Sequence, residues 1–154
     1  MQLEKAVKYW KKIFFFNPND ENIFNKIVNY YEFNKNYDQI IEVCEYKKAN
    51  GHFDLKDFYY LGNFYLRKRE IKKAEKLYFE LLKKYPKEKD VFFYLEYIYS
   101  YLGEQEKLIN ILQKIYSDKN DEYFSIKIVN ILIKTKKYDE AITQLNIFYN
   151  QTKN

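Results

Sequence analysis

Phe58-x-x-Leu61-Gly62-x-x-Tyr65, followed by Ala74-x-x-x-Tyr78 and then Pro86, reads as two helices joined by a short turn. Phe58, Leu61 and Tyr65 share one stripe of a first helix, expected over about Asp54–Lys68. Ala74, Tyr78 and Leu81 share the inner face of a second, expected over about Ile71–Tyr85. Asp54 suits the N-cap of the first helix. Pro86 ends the second, because proline has no backbone N–H to donate. Gly62 and Ala74 remove side-chain bulk where the two helices cross, so their backbones can approach. A bulky replacement of Ala74 is expected to overpack that crossing, at a cost of about 1–3 kcal/mol.

The same pattern returns along the chain. Shifted 34 residues back it reads Phe24, Ile27, Val28 and Tyr31, then Ile40 and Cys44. Shifted 34 forward it reads Phe92, Leu95 and Tyr99, then Leu108, Leu112 and Ile115. A further 33 residues on come Ile128 and Leu132, then Ala141, Leu145 and Phe148. Gly51 fits a left-handed helix cap, Gly103 sits in a turn, and Asn120 and Asp121 suit the entry to the last pair. Ala6, Trp10, Ile13 and Pro18 match Ala74, Tyr78, Leu81 and Pro86, but only as half a unit. The expectation is an all-α chain of nine helices, one unpaired helix followed by four antiparallel pairs. It forms a single solenoid domain over 1–154, with a half-repeat at 3–18 and repeats at about 21–54, 55–88, 89–121 and 122–151. A helix of about 15 residues spans roughly 22 Å, so two helices and two turns use the repeat length. No pair can hide its apolar stripe alone, so neighbouring pairs must stack.

Composition agrees. The 154 residues are 47% apolar and 32% charged, enough to bury a core and keep a solvated surface. Three glycines and two prolines are too few for a protein built on strands and tight turns. Aromatic residues reach 21%, but Lys, Asn, Ile, Phe and Tyr all have A/T-rich codons, so this content alone does not mark a binding surface. The net charge of +5 could suit an acidic partner or nucleic acid. Yet Lys and Glu alternate along presumed helix surfaces, as in Lys72-Lys73-Ala74-Glu75-Lys76, which reads as a solvated face. Cys44 is the only cysteine, which excludes an internal disulfide and a cysteine-rich metal site. A reducing, cytoplasmic compartment is expected. Met1–Lys12 lacks an uninterrupted apolar stretch and does not read as a signal peptide, and no run approaches the length of a membrane span.

The residues from Phe58 to Pro86 resemble the tetratricopeptide repeat pattern, with aromatic substitutions at its Trp and Phe positions. The resemblance extends from Ala6 to about Asn150. It departs at the position of Gly62, which is Val28, Glu96 and Val129 in the other units, and at Ser125, where an aromatic is expected. A pentatricopeptide repeat has similar length, but Gly62, Ala74 and Pro86 favour the tetratricopeptide pattern. The resemblance implies a right-handed α-solenoid whose concave groove is built from the first helix of each pair. It also implies a non-catalytic scaffold that binds a peptide or helix of another protein.

Carried onto this sequence, the resemblance gives groove positions Asn25, Asn29 and Phe33, then Tyr59, Asn63 and Arg67. Phe93, Tyr97 and Tyr101 follow, and Asn130 and Lys134 complete the set. Amides such as Asn29, Asn63 and Asn130 can pair with a peptide backbone. Tyr97 and Tyr101 offer anchoring area at low entropic cost. Counting the neighbouring groove charges, Lys56, Arg67 and Lys134 face Glu32 and Asp90, a balance of only +1. Nucleic-acid binding needs clustered cations, so it is not expected, although the aromatics could stack on bases. A clamp for acidic chaperone tails would need cations where Asp90 and Tyr94 stand, and that role is rejected.

Nothing in the sequence points to catalysis, a metal or a cofactor. His52 is the single histidine, placed in a turn beside Gly51 without a neighbouring nucleophile. Asp54, Asp57, Glu104 and Glu106 lie at helix starts, where the helix dipole favours them. Cys44 falls on an apolar stripe as a core thiol. The end helices carry apolar residues beyond what their pattern hides: Trp10, Ile13 and Phe14–Phe16 in the first, Ile142, Leu145, Ile147, Phe148 and Tyr149 in the last. Two expectations follow. Either the chain is a fragment of a longer array, or it self-associates through these ends as a homo-oligomer.

Overall fold

A computed structural model describes residues 2–116 and 122–152, the last three of the first span and the last two of the second by backbone alone. Asn120 and Asp121, and the side chain of Ile115, lie outside the described residues. Among the described residues there are nine helices and no strand. They are α1 (Gln2–Phe16), α2 (Glu21–Phe33), α3 (Tyr37–Ala49), α4 (Leu55–Arg67), α5 (Ile71–Lys84), α6 (Val91–Leu102), α7 (Gln105–Tyr116), α8 (Glu122–Lys134) and α9 (Tyr138–Thr152). Two compact units result, residues 1–91 and residues 92–154. No helix among the described residues is long and apolar enough to cross a membrane.

Local chemistry sets the helix ends. Asp20 caps α2 by accepting from the Ile23 N–H at 3.0 Å. Asp54 caps α4 through a capping box, in which its side chain accepts from the Asp57 N–H and Asp57 accepts from the Asp54 N–H, both at 3.0 Å. This satisfies two of the donors that a helix start leaves unpaired. The turn inside each pair is also a repeated device. Lys35, Arg69, Gly103 and Lys136 all have positive φ, from 54° to 70°, and they fall at one position of the repeat. The next residue donates back five positions in every case, Asn36 to Tyr31, Glu70 to Tyr65, Glu104 to Tyr99 and Lys137 to Leu132, at 2.8–2.9 Å. This is the Schellman closure of a helix. Only Gly103 adopts it without the clash between Cβ and backbone that left-handed geometry imposes on other residues.

Core burial follows the sequence register. Ile27, Leu61, Leu95 and Ile128 are buried, as are Ile40, Ala74, Leu108 and Ala141. The close crossing at Gly62 is real: a Cβ built there would lie 2.5 Å from the Tyr78 ring. One expectation needs correction. Leu145, expected on the inner face with Ala141, is 47% exposed, whereas its register equivalents Leu112, Tyr78 and Cys44 are buried. α7 and α3 are each followed within their unit by a helix that packs on them, and no described helix follows α9. At Ser125, where the sequence departs from the aromatic of the pattern, a neighbour supplies the buried ring. Phe124, one residue earlier, is buried instead and meets Phe92 edge-on at 4.8 Å.

One feature of the first unit is absent from the sequence reading. Lys47 is 1% exposed, and its ammonium donates to both Asp57 carboxylate oxygens, at 3.0 and 2.8 Å, and to Glu21. It also lies 4.5 Å above the Phe24 ring. Burial acts to lower the Lys47 ammonium, but its hydrogen bonds to Asp57 and Glu21 outweigh this and hold it above its ordinary value. Burial pushes the Asp57 carboxyl up, against the opposing pull of Lys47. The cluster ties α2, α3 and α4 together at the stacking of two pairs.

Candidate functional site

The expected groove residues are all exposed or half-buried, none of them in the core. Each unit gathers some of them into a cleft.

In the first unit a cleft of about 680 Å³ forms beside the start of α4. Tyr59 and Asn63 line it, together with Tyr60, Tyr85, Lys56, Asp54, Glu88 and Asp90. Asn25, Asn29, Phe33 and Arg67 do not line it. Asn25, Asn29 and Phe33 are exposed on α2. Arg67 is engaged with its own unit: its guanidinium donates to Glu32 at 3.3 Å and sits over the Tyr37 and Phe64 rings at 5.7 and 5.5 Å. The Tyr60 hydroxyl donates to the other oxygen of Glu32 at 3.3 Å. Burial and then the Glu32 charge push the Tyr60 phenol up, so it stays protonated and can act as that donor.

In the second unit α6 and α8 run side by side in the same direction. Phe92 meets Phe124 near their starts, and Glu96 reaches Lys127 further along. Between them lies a cleft of about 560 Å³. Four of the expected residues converge there, Phe93 and Tyr97 from α6 with Asn130 and Lys134 from α8. Glu96, Ser100, Lys127 and Ile133 complete the lining. Tyr101 is exposed on α6 but outside the cleft. Phe93 is 68% exposed, Tyr97 54% and Ile133 47%, so three large apolar side chains face solvent on one concave surface. Singly such residues are ordinary, but grouped they mark a contact surface.

Glu96 organises the floor of this cleft. Its carboxylate accepts from Lys127 at 2.5 Å and from Lys134 at 2.6 Å. Burial acts to raise its pKa, but the hydrogen bonds and charges of the two lysines outweigh this and hold it below the usual glutamate range. The sequence departure at this position therefore has a use. Glu96 stands where Gly62 stands in the neighbouring repeat, and it turns toward α8 rather than into its own pair.

Glu32 and Glu96 as hubs were not read from the sequence. A signal for such pairs exists. Lys11 with Glu42, and Lys127 with Glu96, are both opposite charges 31 residues apart. That is one repeat less about one helical turn, the offset that places side chains of adjacent equivalent helices opposite each other.

No cluster of three or more potential metal ligands occurs among the described residues. His52 is exposed in the turn after α3. Cys44 is buried, and burial pushes its thiol up, away from the thiolate that nucleophilic chemistry requires.

No protein-family model matches the sequence, and no curated protein matches it significantly. Solved structures do match the fold. A crystal structure of MamA superimposes with a TM-score of 0.61 at 18% identity, over 98% of this chain and 89% of that one. The crystal structure of YrrB, a tetratricopeptide repeat protein with an unusual peptide-binding site, gives 0.57 at 18% identity, over 94% of this chain and 75% of that one. A chain of the Naa15/Naa10 assembly bound to HypK-THB gives 0.63 at 16% identity, over 94% of this chain and 23% of that one. The fold is the tetratricopeptide-type stack of helix pairs that the motif led one to expect.

Proposed function

We propose that this chain is a non-catalytic protein-interaction scaffold that holds a peptide or helix of a partner on the faces of its first-of-pair helices. The carrying observation is the convergence of Phe93, Tyr97, Asn130 and Lys134 on one cleft with its apolar side chains exposed. Such a surface gains free energy when a partner covers it, and tyrosine and phenylalanine bring much area with few rotors to freeze. The fold shared with YrrB, which has a peptide-binding site, supports the reading. The lysines at the cleft are partly neutralised by Glu96, which favours a protein partner over a polyanion. In the first unit, Tyr59 and Asn63, with the exposed Asn25, Asn29, Phe33 and Arg67, serve as further contact positions, and Tyr101 extends the second. Self-association is a second reading, favoured by the apolar stripe Tyr138, Ile142, Leu145 and Tyr149, all exposed on α9.

The test is quantitative capture from cell extract on wild-type protein and on a Tyr97→Ala/Asn130→Ala variant with an unchanged melting curve. Loss of a specific captured protein is the expected result. Equal capture by both proteins contradicts the assignment.

A further inference from the structure

The polarity of the second unit's cleft names the kind of partner it fits, an inference that rests on the scaffold reading above. α6 carries a single charge, Glu96, and both neighbouring lysines already answer it. The face that remains is apolar. Phe93 and Tyr97 stand one turn apart on α6, and Ile133 stands on α8 as the third exposed apolar wall. Ser100, Asn130 and the Tyr97 hydroxyl are the neutral polar groups in the lining.

An extended segment brings a backbone donor and acceptor at every residue, and these lose water on docking. Three neutral polar groups cannot answer such a series. A helix satisfies its backbone internally and asks only for apolar contact along one stripe. Charge adds direction. Two ammonium groups face one carboxylate, which leaves one positive charge in excess. Lys134 is the open end of this network, with its side chain 68% exposed against 22% for Lys127. We propose that the α6–α8 cleft receives an amphipathic helix of a partner protein, its apolar stripe on Phe93, Tyr97 and Ile133 and its flanking carboxylates toward Lys134.

The probe is a fluorescein-labelled model helix of about 18 residues, long enough to hold helical structure in water. It carries leucine at i, i+4, i+7 and i+11, glutamate on the flanks and alanine elsewhere. Two companions are used, one with lysine in place of glutamate and one with central alanines replaced by proline to keep it extended. Fluorescence anisotropy is titrated with wild-type protein and with Tyr97→Ala/Ile133→Ala and Lys134→Gln variants, whose melting curves check the fold. The expected result is saturable binding of the glutamate helix, weakened about tenfold by the double substitution and about threefold by Lys134→Gln. The lysine helix should bind more weakly than the glutamate helix. Equal binding of the two helices, or no effect of the double substitution, overturns the proposal. Tighter binding of the extended peptide, lost in the double variant, overturns the helix while leaving the scaffold reading intact. If no probe binds, the proposal fails, and the capture experiment above judges the scaffold reading separately. A cleft substitution that lowers the mass of the protein alone in sedimentation would assign the face to a second copy and also overturn it.

Discussion

Position 62 in the first unit and position 96 in the second are the same place in the repeat, 34 residues apart. At the first stands glycine, and the Tyr78 ring fills the space that a side chain would take. At the second stands glutamate, and the residue in register with Tyr78 is the smaller Leu112. The exchange is paired: less bulk on the second helix accompanies more on the first. The charges follow the same division. The first unit seals Lys47 and Asp57 between its helices. The second opens Glu96, Lys127 and Lys134 into a cleft. One repeat pattern thus supports an inward use of polar and bulky groups for stacking and an outward use for contact. The difference lies in which neighbour each side chain can reach.

The largest effect expected from breaking this comparison is at Lys47. Lys47→Ala leaves Asp57 buried without its cation and should cost about 3–5 kcal/mol, measured by urea unfolding. A loss under 1 kcal/mol would mean that the pair does not bear on the stacking.

Gly62→Ala comes next. The added methyl meets the Tyr78 ring, and about 1–3 kcal/mol should be lost. Tyr78→Leu, which copies the second unit, should make the Gly62→Ala change far milder. Additive losses in that double-mutant cycle would contradict the paired exchange.

The turns allow a smaller test within one chain. Arg69→Gly should raise stability by up to about 1 kcal/mol and Gly103→Arg should lower it by a similar amount, because both positions hold left-handed backbone. Thermal unfolding checks both signs.

The smallest effect is at Glu96. Glu96→Gln should cost no more than about 1 kcal/mol at neutral pH, since the network is partly open to water. The folded carboxyl titrates below its unfolded value. Its contribution is therefore present above the ordinary glutamate range and is lost as pH falls through the folded value. The gap between wild type and Glu96→Gln should close on acidification. A gap that widens at low pH would contradict the direction of the shift.

The fold was legible because it repeats. Four readings of one pattern correct each other, and the apolar slots at Leu61, Leu95 and Ile128 needed no tertiary information. Leu145 was not legible, because its slot is apolar in sequence whether or not another helix covers it. Lys47 and Asp57 left a trace that only a comparison of slots reveals. Lys47 stands where other repeats hold Leu81 and Phe148, and Asp57 where they hold Val91 and Phe124. Two charges in apolar slots of adjacent helices imply each other, since either alone would be buried unpaired. The cleft was legible residue by residue, through Phe93, Tyr97, Asn130 and Lys134. Its floor was not, because Glu96 looked like a departure from a small-residue position rather than the partner of two lysines one repeat away.

The most direct test of the outward-facing cleft is site-specific photo-crosslinking. A benzoylphenylalanine is placed at Tyr97, within the cleft, and in a second protein at Tyr138, a comparably exposed tyrosine on α9. After irradiation in cell extract, the Tyr97 protein should form one dominant adduct with another protein, abolished by adding Ile133→Ala with Lys134→Gln, and the Tyr138 protein should not form it. An adduct formed equally from both positions, or one that survives the cleft substitutions, would contradict the assignment of the α6–α8 cleft as the partner site.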